Sequence, residues 1–171
     1  FNDLTPAAPV GGNSGTTLGQ QRLNVFQQAA DIWGRALSGD IPVVVEANFD
    51  VMFCDASSAV LGGAGPINLA ANFNQAPQVN TWYHIALANA LADADIDPAN
   101  GDISATFNSD IGSSGDCLAG ISWYLGLDHN EGANIDLLAV VLHEIGHGLG
   151  FSTFVNEADG AWFFDLPDAF G

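Results

Sequence analysis

Residues 134–153 read Asn-Ile-Asp-Leu-Leu-Ala-Val-Val-Leu-His-Glu-Ile-Gly-His-Gly-Leu-Gly-Phe-Ser-Thr, and their reading decides both fold class and chemistry. From Ile135 to Leu149 the stretch is apolar on most sides, which predicts a buried helix. Asn134 is placed to cap it, and Asp136 falls in its first turn, where a negative charge faces the positive end of the helix dipole. Gly148 and Gly150 end the helix and bend the chain back. Within it, His143-Glu144-Ile145-Gly146-His147 is an HExxH pattern. A spacing of four residues sets both imidazoles on one face, one turn apart, so that one metal ion reaches both. Zinc suits two neutral imidazoles and lowers the pKa of its water to about 7 when a coordination position stays open. Glu144, beside the first ligand, is placed to take a proton from that water and pass it to a leaving amine. The expected chemistry is metal-assisted peptide hydrolysis, with His143 and His147 as zinc ligands and Glu144 as general base. The competing explanations are two hydrogen-bonded core histidines with an incidental glutamate between them, and a metal site kept for stability alone.

Working outward, residues 1–17 are rich in Pro, Gly, Asn and Thr and predict an extended lead-in. From Leu18, apolar residues recur at helical spacing through Leu37, with Thr16 and Thr17 as candidate caps and an end near Gly39. Pro42 to Phe49 is β-branched and bounded by turn residues, which predicts a strand. Ala56 to Pro77 is small and turn-rich, irregular apart from a short strand near Ile67 to Ala71. Trp82 to Leu91 predicts a second helix, Ile103 to Asn108 a strand, and Ile121 to Leu127 a strand or short turn. No internal repeat or linker divides the chain, so one domain over residues 1–171 is expected. Its class is α+β: a small twisted mixed sheet, a long N-terminal helix and a buried zinc-binding helix.

The run His143 to Ser152 (HEIGHGLGFS) resembles the active-site helix of zincin metallopeptidases, and most of all the metzincin-related, leishmanolysin-like variety. Thr17 to Trp33 (TLGQQRLNVFQQAADIW), Ser58 to Pro66 (SAVLGGAGP), Trp82 to Leu91 and Asn134 to Thr153 look like secreted bacterial metallopeptidases that carry a protease-associated domain. This resemblance implies a metzincin-like upper subdomain, zinc on His143 and His147, and Glu144 as catalytic base. It supplies no third ligand. In the compact metzincin pattern that position is Thr153, a poor zinc ligand; in the leishmanolysin-like pattern a later histidine would lie beyond Gly171. The chain is therefore expected to be the front part of a longer protein, unless Glu157, Asp159, Asp165 or Asp168 substitutes, or one of the remaining histidines, His84 and His129.

Composition narrows the partners. Asp and Glu number 20 against 2 Lys and Arg, a formal net charge of −18. Such a surface repels phosphate backbones and anionic headgroups, so neither nucleic acid nor membrane is an expected partner; a protein or peptide substrate is. The longest apolar run, Leu137 to Leu142, is far short of the roughly 20 residues that span a bilayer. The chain opens Phe1-Asn2-Asp3 without a methionine or a basic, apolar leader, as expected of a processed or trimmed chain from which any signal peptide is already gone. The two cysteines, Cys54 and Cys117, then predict one disulfide in a secreted, extracellular protein, closing a loop worth on the order of 4 kcal/mol. Asp93, Asp95 and Asp97 stand at calcium-like spacing, yet Pro98 and Ser104 replace the glycine and glutamate of an EF-hand loop, which leaves calcium only at an irregular site. Trp162, Phe163, Phe164 and Phe170 cluster near the end, where they suit packing on a missing downstream domain or on a second copy. The alternative function is accordingly a secreted, non-catalytic scaffold that self-associates, stabilised by calcium.

Overall fold

The computed structural model of the chain describes residues 1–113 and 115–170. Among them the element order is α1 (Leu18–Ala36), β1 (Val45–Asp50), β2 (Gly62–Pro66), β3 (Leu69–Ala70), β4 (Tyr83–His84), α2 (Ile85–Ala92), β5 (Ile103–Asn108), β6 (Trp123–Tyr124), β7 (Ile135–Asp136), α3 (Leu137–Leu149) and a 3-10 turn at Phe163–Asp165. The chain is α+β, as expected. In place of one mixed sheet, however, the strands form a three-stranded sheet of order β1-β5-β2 and two ribbons, β3–β4 antiparallel and β6–β7 parallel.

Local chemistry explains most boundaries. Thr17 is extended and its hydroxyl accepts from Gln20 N at 3.2 Å, while Gln20 Oε1 accepts from Thr16 N at 2.9 Å, a reciprocal cap that starts α1. β1 starts at Val45 and not at Pro42, because the Asp102 carboxylate takes the Val44 amide at 2.7 Å in place of a strand partner. The expected irregularity at Gly62–Pro66 is instead a strand. A Cβ on Gly62 would lie 3.0 Å from Phe107 Cδ1 and from the Thr106 carbonyl, so glycine lets β2 press onto β5. The helix expected from Trp82 starts three residues later. Trp82 N donates to the Pro167 carbonyl at 2.8 Å and its own carbonyl accepts from Ala169 N at 3.1 Å, which holds the chain extended before Tyr83 and His84 pair with Ala70 and Leu69.

Two compact units result, and β1, β2, β5 and α3 contribute residues to both. Unit 1 comprises Phe1–Ser38, Asn48–Gly63 and Thr106–His143. Its core is an aromatic cluster in which the Phe107 ring lies 5.2 Å from Phe26 and 5.6 Å from Phe49, with Phe1 4.9 Å from Phe26. Val25, Ala29, Leu137 and Val141 are fully buried in the same unit. The lead-in lies folded onto α1: Leu18 N donates to the Thr5 carbonyl, and buried Asn13 donates from Nδ2 to the carbonyls of Gln21 and Leu125. The expected Cys54–Cys117 disulfide closes here. Unit 2 comprises Gly39–Ala47, Ala64–Ala105 and Glu144–Gly171. It buries Ile85, Ala88, Ile103 and Ile145, and a buried polar pair, Asn89 Nδ2 donating to Asp102 Oδ1 at 2.8 Å, ties α2 to the start of β5.

Candidate functional site

Helix α3 carries the HExxH residues, and its start differs from the expected one. Asp136, not Asn134, is the cap: its Oδ1 accepts from Leu138 N at 2.9 Å and Ala139 N at 3.4 Å. Asn134 turns away and accepts from the Ser122 amide and hydroxyl. The other Asp136 oxygen lies 2.6 Å from His129 Nδ1, which places His129 at the N-terminal end of α3, whereas His143 and His147 lie in its last two turns. His129 is therefore a partner of the cap and not a further ligand beside them.

Along α3, Leu137, Leu138, Val141 and Ile145 are buried, Glu144 is 9% exposed, His147 is half-buried and His143 is exposed. The helical spacing holds the two ligand positions about 5–6 Å apart at Cβ. Glycine at 148 allows the last turn to approach β5. A Cβ there would collide with Ile103 Cγ2 and stand 2.7 and 2.8 Å from that side chain's Cγ1 and Cδ1. Gly150, at φ +124, then turns the chain.

That turn returns residues 151–152 to the helix. His147 Nδ1 lies 2.9 Å from the Phe151 carbonyl oxygen. A carbonyl only accepts, so Nδ1 carries a proton, and in the neutral ring the lone pair lies on Nε2, from which a metal can be bound. The Ser152 hydroxyl makes a long 3.5 Å bond to the His147 carbonyl and lies 2.7 Å from His84 Nε2. His84 is 1% exposed and stacked 4.6 Å from the Phe154 ring. Its burial pushes its pKa down to about 4, with Asp168 opposing the shift and His147 adding to it. His84 thus supports the loop behind His147 as a neutral ring. Neither Ser152 nor the Phe151 carbonyl is marked in the sequence as a partner of a histidine; only a turn forced by Gly150 hints that they come back.

Of the carboxylates offered as substitutes, Asp168 is held by donors of its own loop. Asp168 is 4% exposed, and one of its oxygens accepts from Thr153 Oγ1 at 2.7 Å and from Phe154 N, the other from Phe170 N at 2.8 Å. Thr153, the compact-pattern ligand position, is thus a donor to Asp168. Glu157, Asp159 and Asp165 are exposed, and Asp159 accepts from the Ala161 amide. In the acidic loop, Asp97 accepts from Asn68 Nδ2 at 2.6 Å and Asn100 Nδ2 at 2.9 Å. Among the described residues, no group of three or more His, Cys, Asp and Glu converges to hold a metal ion. Among the described residues, no third protein ligand joins His143 and His147. No helix among those residues is long and apolar enough to cross a membrane.

Residues 10–160 match the SPBPB7E8-like family, nearly the whole of the chain. The chain belongs to that family. A relative from Schizosaccharomyces pombe, named uncharacterized protein PB7E8.01, is 27% identical over 153 residues. The match takes in 83% of this SPBPB7E8-like chain and 25% of the relative, so the chain spans about a quarter of that protein's length. No solved structure matches. These findings overturn the kinship expected from HEIGHGLGFS: the family is SPBPB7E8-like, not a zincin of the leishmanolysin-like or protease-associated type, and the metal group that such a kinship requires is absent among the described residues.

Proposed function

We propose that this chain is a zinc-dependent peptide hydrolase module, a reading that rests on its own residues and not on kinship. His143 and His147 hold the ion, and Glu144 is the general base. The observation that carries the proposal is the hydrogen bond from His147 Nδ1 to the Phe151 carbonyl, which sets the metal-binding nitrogen of a ring one turn from His143. When bound, zinc supplies a Lewis acid that polarises a carbonyl and acidifies water. Glu144, largely shielded from solvent on the intervening helical position, takes the proton and returns it to the departing amine. A secreted setting accords with the disulfide.

The test measures zinc stoichiometry together with casein hydrolysis. Glu144→Gln should keep the zinc and lose activity by about 10²–10⁴-fold, while His143→Ala and His147→Ala should lose the zinc. Equal activity with and without the Glu144 carboxylate would remove it from the mechanism. The second reading, a self-associating scaffold stabilised by calcium, is favoured by Trp162, Phe164 and Phe170, which are 53%, 75% and 60% exposed, and by the lack of a three-ligand metal group among the described residues. Light scattering with and without a calcium chelator separates the two, since a monomer under both conditions contradicts the scaffold.

A further inference from the structure

Unit 2 holds a cleft of about 420 Å³ whose walls include Pro66, Leu69, Trp82, Phe154, Phe163 and Phe164. Its volume lies within the roughly 300–1,000 Å³ of pockets that bind small groups. Three features make it more than a packing gap. Its wall residue Phe154 stacks on His84, and His84 bonds Ser152, the neighbour of the carbonyl that orients His147. Its rim is built at a cost: Phe164 and Asp165 both adopt left-handed backbone (φ 47 and 57), which non-glycine residues rarely do, and this turn presents the Phe164 ring 75% exposed. The unit that holds it is one-sided in charge, because unit 2 carries carboxylates and no Lys or Arg. Asp165 follows the aromatic rim directly, and Asp97 holds the side chain of Asn68, another lining residue.

We infer that this cleft is a side-chain pocket for the peptide substrate, taking a bulky apolar residue that is flanked by lysine or arginine. The inference deepens the hydrolase proposal and rests on it for the bond that is cut, but the recognition itself is a binding event. The apolar walls and aromatic rings desolvate the side chain, and the negative charge of unit 2, to which Asp97 and Asp165 contribute, attracts the flanking cations. An acidic peptide of the same shape meets the same walls and is repelled.

The test uses the full chain as Glu144→Gln, so that binding is read without cleavage. Fluorescein-labelled peptides Ala-Lys-Phe-Lys-Ala, Ala-Lys-Ala-Lys-Ala and Ala-Glu-Phe-Glu-Ala are titrated by anisotropy at low salt. The first should bind at least about tenfold more tightly than either of the others, a margin of ~1.4 kcal/mol. Phe164→Gly added to this chain keeps the left-handed turn and removes the ring, and it should erase most of the preference for Phe over Ala without lowering the urea midpoint. Equal binding of the three peptides overturns the inference, as does a preference that survives Phe164→Gly. So does a dimer in sedimentation that dissociates in Phe164→Gly, which would make a second copy the occupant. The two proposals fail separately. The binding preference without hydrolysis by the zinc-loaded chain leaves the pocket and removes the enzyme; hydrolysis indifferent to the Phe and Lys positions leaves the enzyme and removes the pocket.

Discussion

At the scale of single residues, the proposed chemistry hangs on which nitrogen of each ring carries a proton. His147 has its Nδ1 proton fixed by a backbone carbonyl. His84 stays neutral because ionising a ring that is 1% exposed forfeits hydration. The second fact has a thermodynamic consequence. With a pKa of about 4 folded and about 6.5 unfolded, His84 binds a proton only in the unfolded state between those values. Its contribution to stability is therefore complete above pH 6.5 and lost as the pH falls towards 4, an effect of about 3 kcal/mol at most. In the metal-free chain, His84→Gln should flatten that part of the curve of urea midpoint against pH, and the His84 ring protons should titrate near pH 4 in NMR spectra. A midpoint near 6.5 would show the ring hydrated. The helical spacing of His143, Glu144 and His147 was legible in the sequence because it is contained within five residues of one helix. The His84–Ser152 pair was not, since its members stand 68 positions apart and only tertiary folding joins them.

At the scale of elements, α1 and β5 follow their patterns closely, because an amphipathic stripe with a capping threonine and a short alternating run each report local preference. The short strand expected near Ile67 to Ala71 is β3, whereas β2 and β4 were hidden because pairing across the chain overrides weak local signals: Gly62 owes its strand to Phe107, and Tyr83 and His84 owe theirs to Leu69 and Ala70. The start of α3 was misplaced for a similar reason, since Asn134 and Asp136 both suit a cap and the pairing of β6 with β7 keeps Ile135 extended. Asp136→Ala should thus destabilise the chain by about 1–2 kcal/mol, while Asp136→Asn, which keeps the acceptor, should cost less; equal losses by thermal denaturation would mean that the charge and not the cap matters. At the other end of α3, Gly148→Ala gains helix propensity of about 1 kcal/mol but drives a methyl into Ile103. Overpacking typically costs about 1–3 kcal/mol, so a net loss of stability is expected, and combining Gly148→Ala with Ile103→Ala, which deletes Cγ1, Cγ2 and Cδ1, should cost less than the sum of the two separate losses. Additive effects of the two substitutions would show that α3 and β5 do not press on each other there.

For the molecule as a whole, the α+β class was legible because helical and strand periodicities alternate without forming βαβ repeats, and the disulfide because two cysteines allow one pairing. The division into two compact units was not, since its boundaries cut through β1, β2, β5 and α3 and leave no linker to read. Charge is the remaining global property. Twenty carboxylates over 171 residues are offset by only two arginines, which leaves a formal −18, and Arg22 is already committed to Asp3 at 3.1 Å and to the Phe49 face at 4.3 Å. Folding concentrates the carboxylates, and their mutual repulsion is felt over a Debye length that shrinks from ~30 Å at 0.01 M salt to ~3 Å at 1 M. The urea midpoint should therefore rise when sodium chloride is raised from 10 mM to 1 M, and urea is the denaturant of choice because guanidinium would itself screen. Hydrophobic burial also strengthens with excluded salts, so the control is a variant with several exposed carboxylates, such as Asp40, Glu157 and Asp159, changed to Asn or Gln. If repulsion is the cause, this variant starts with a higher midpoint in low salt and gains less from the addition; an identical gain in both proteins would assign the effect to burial and not to charge.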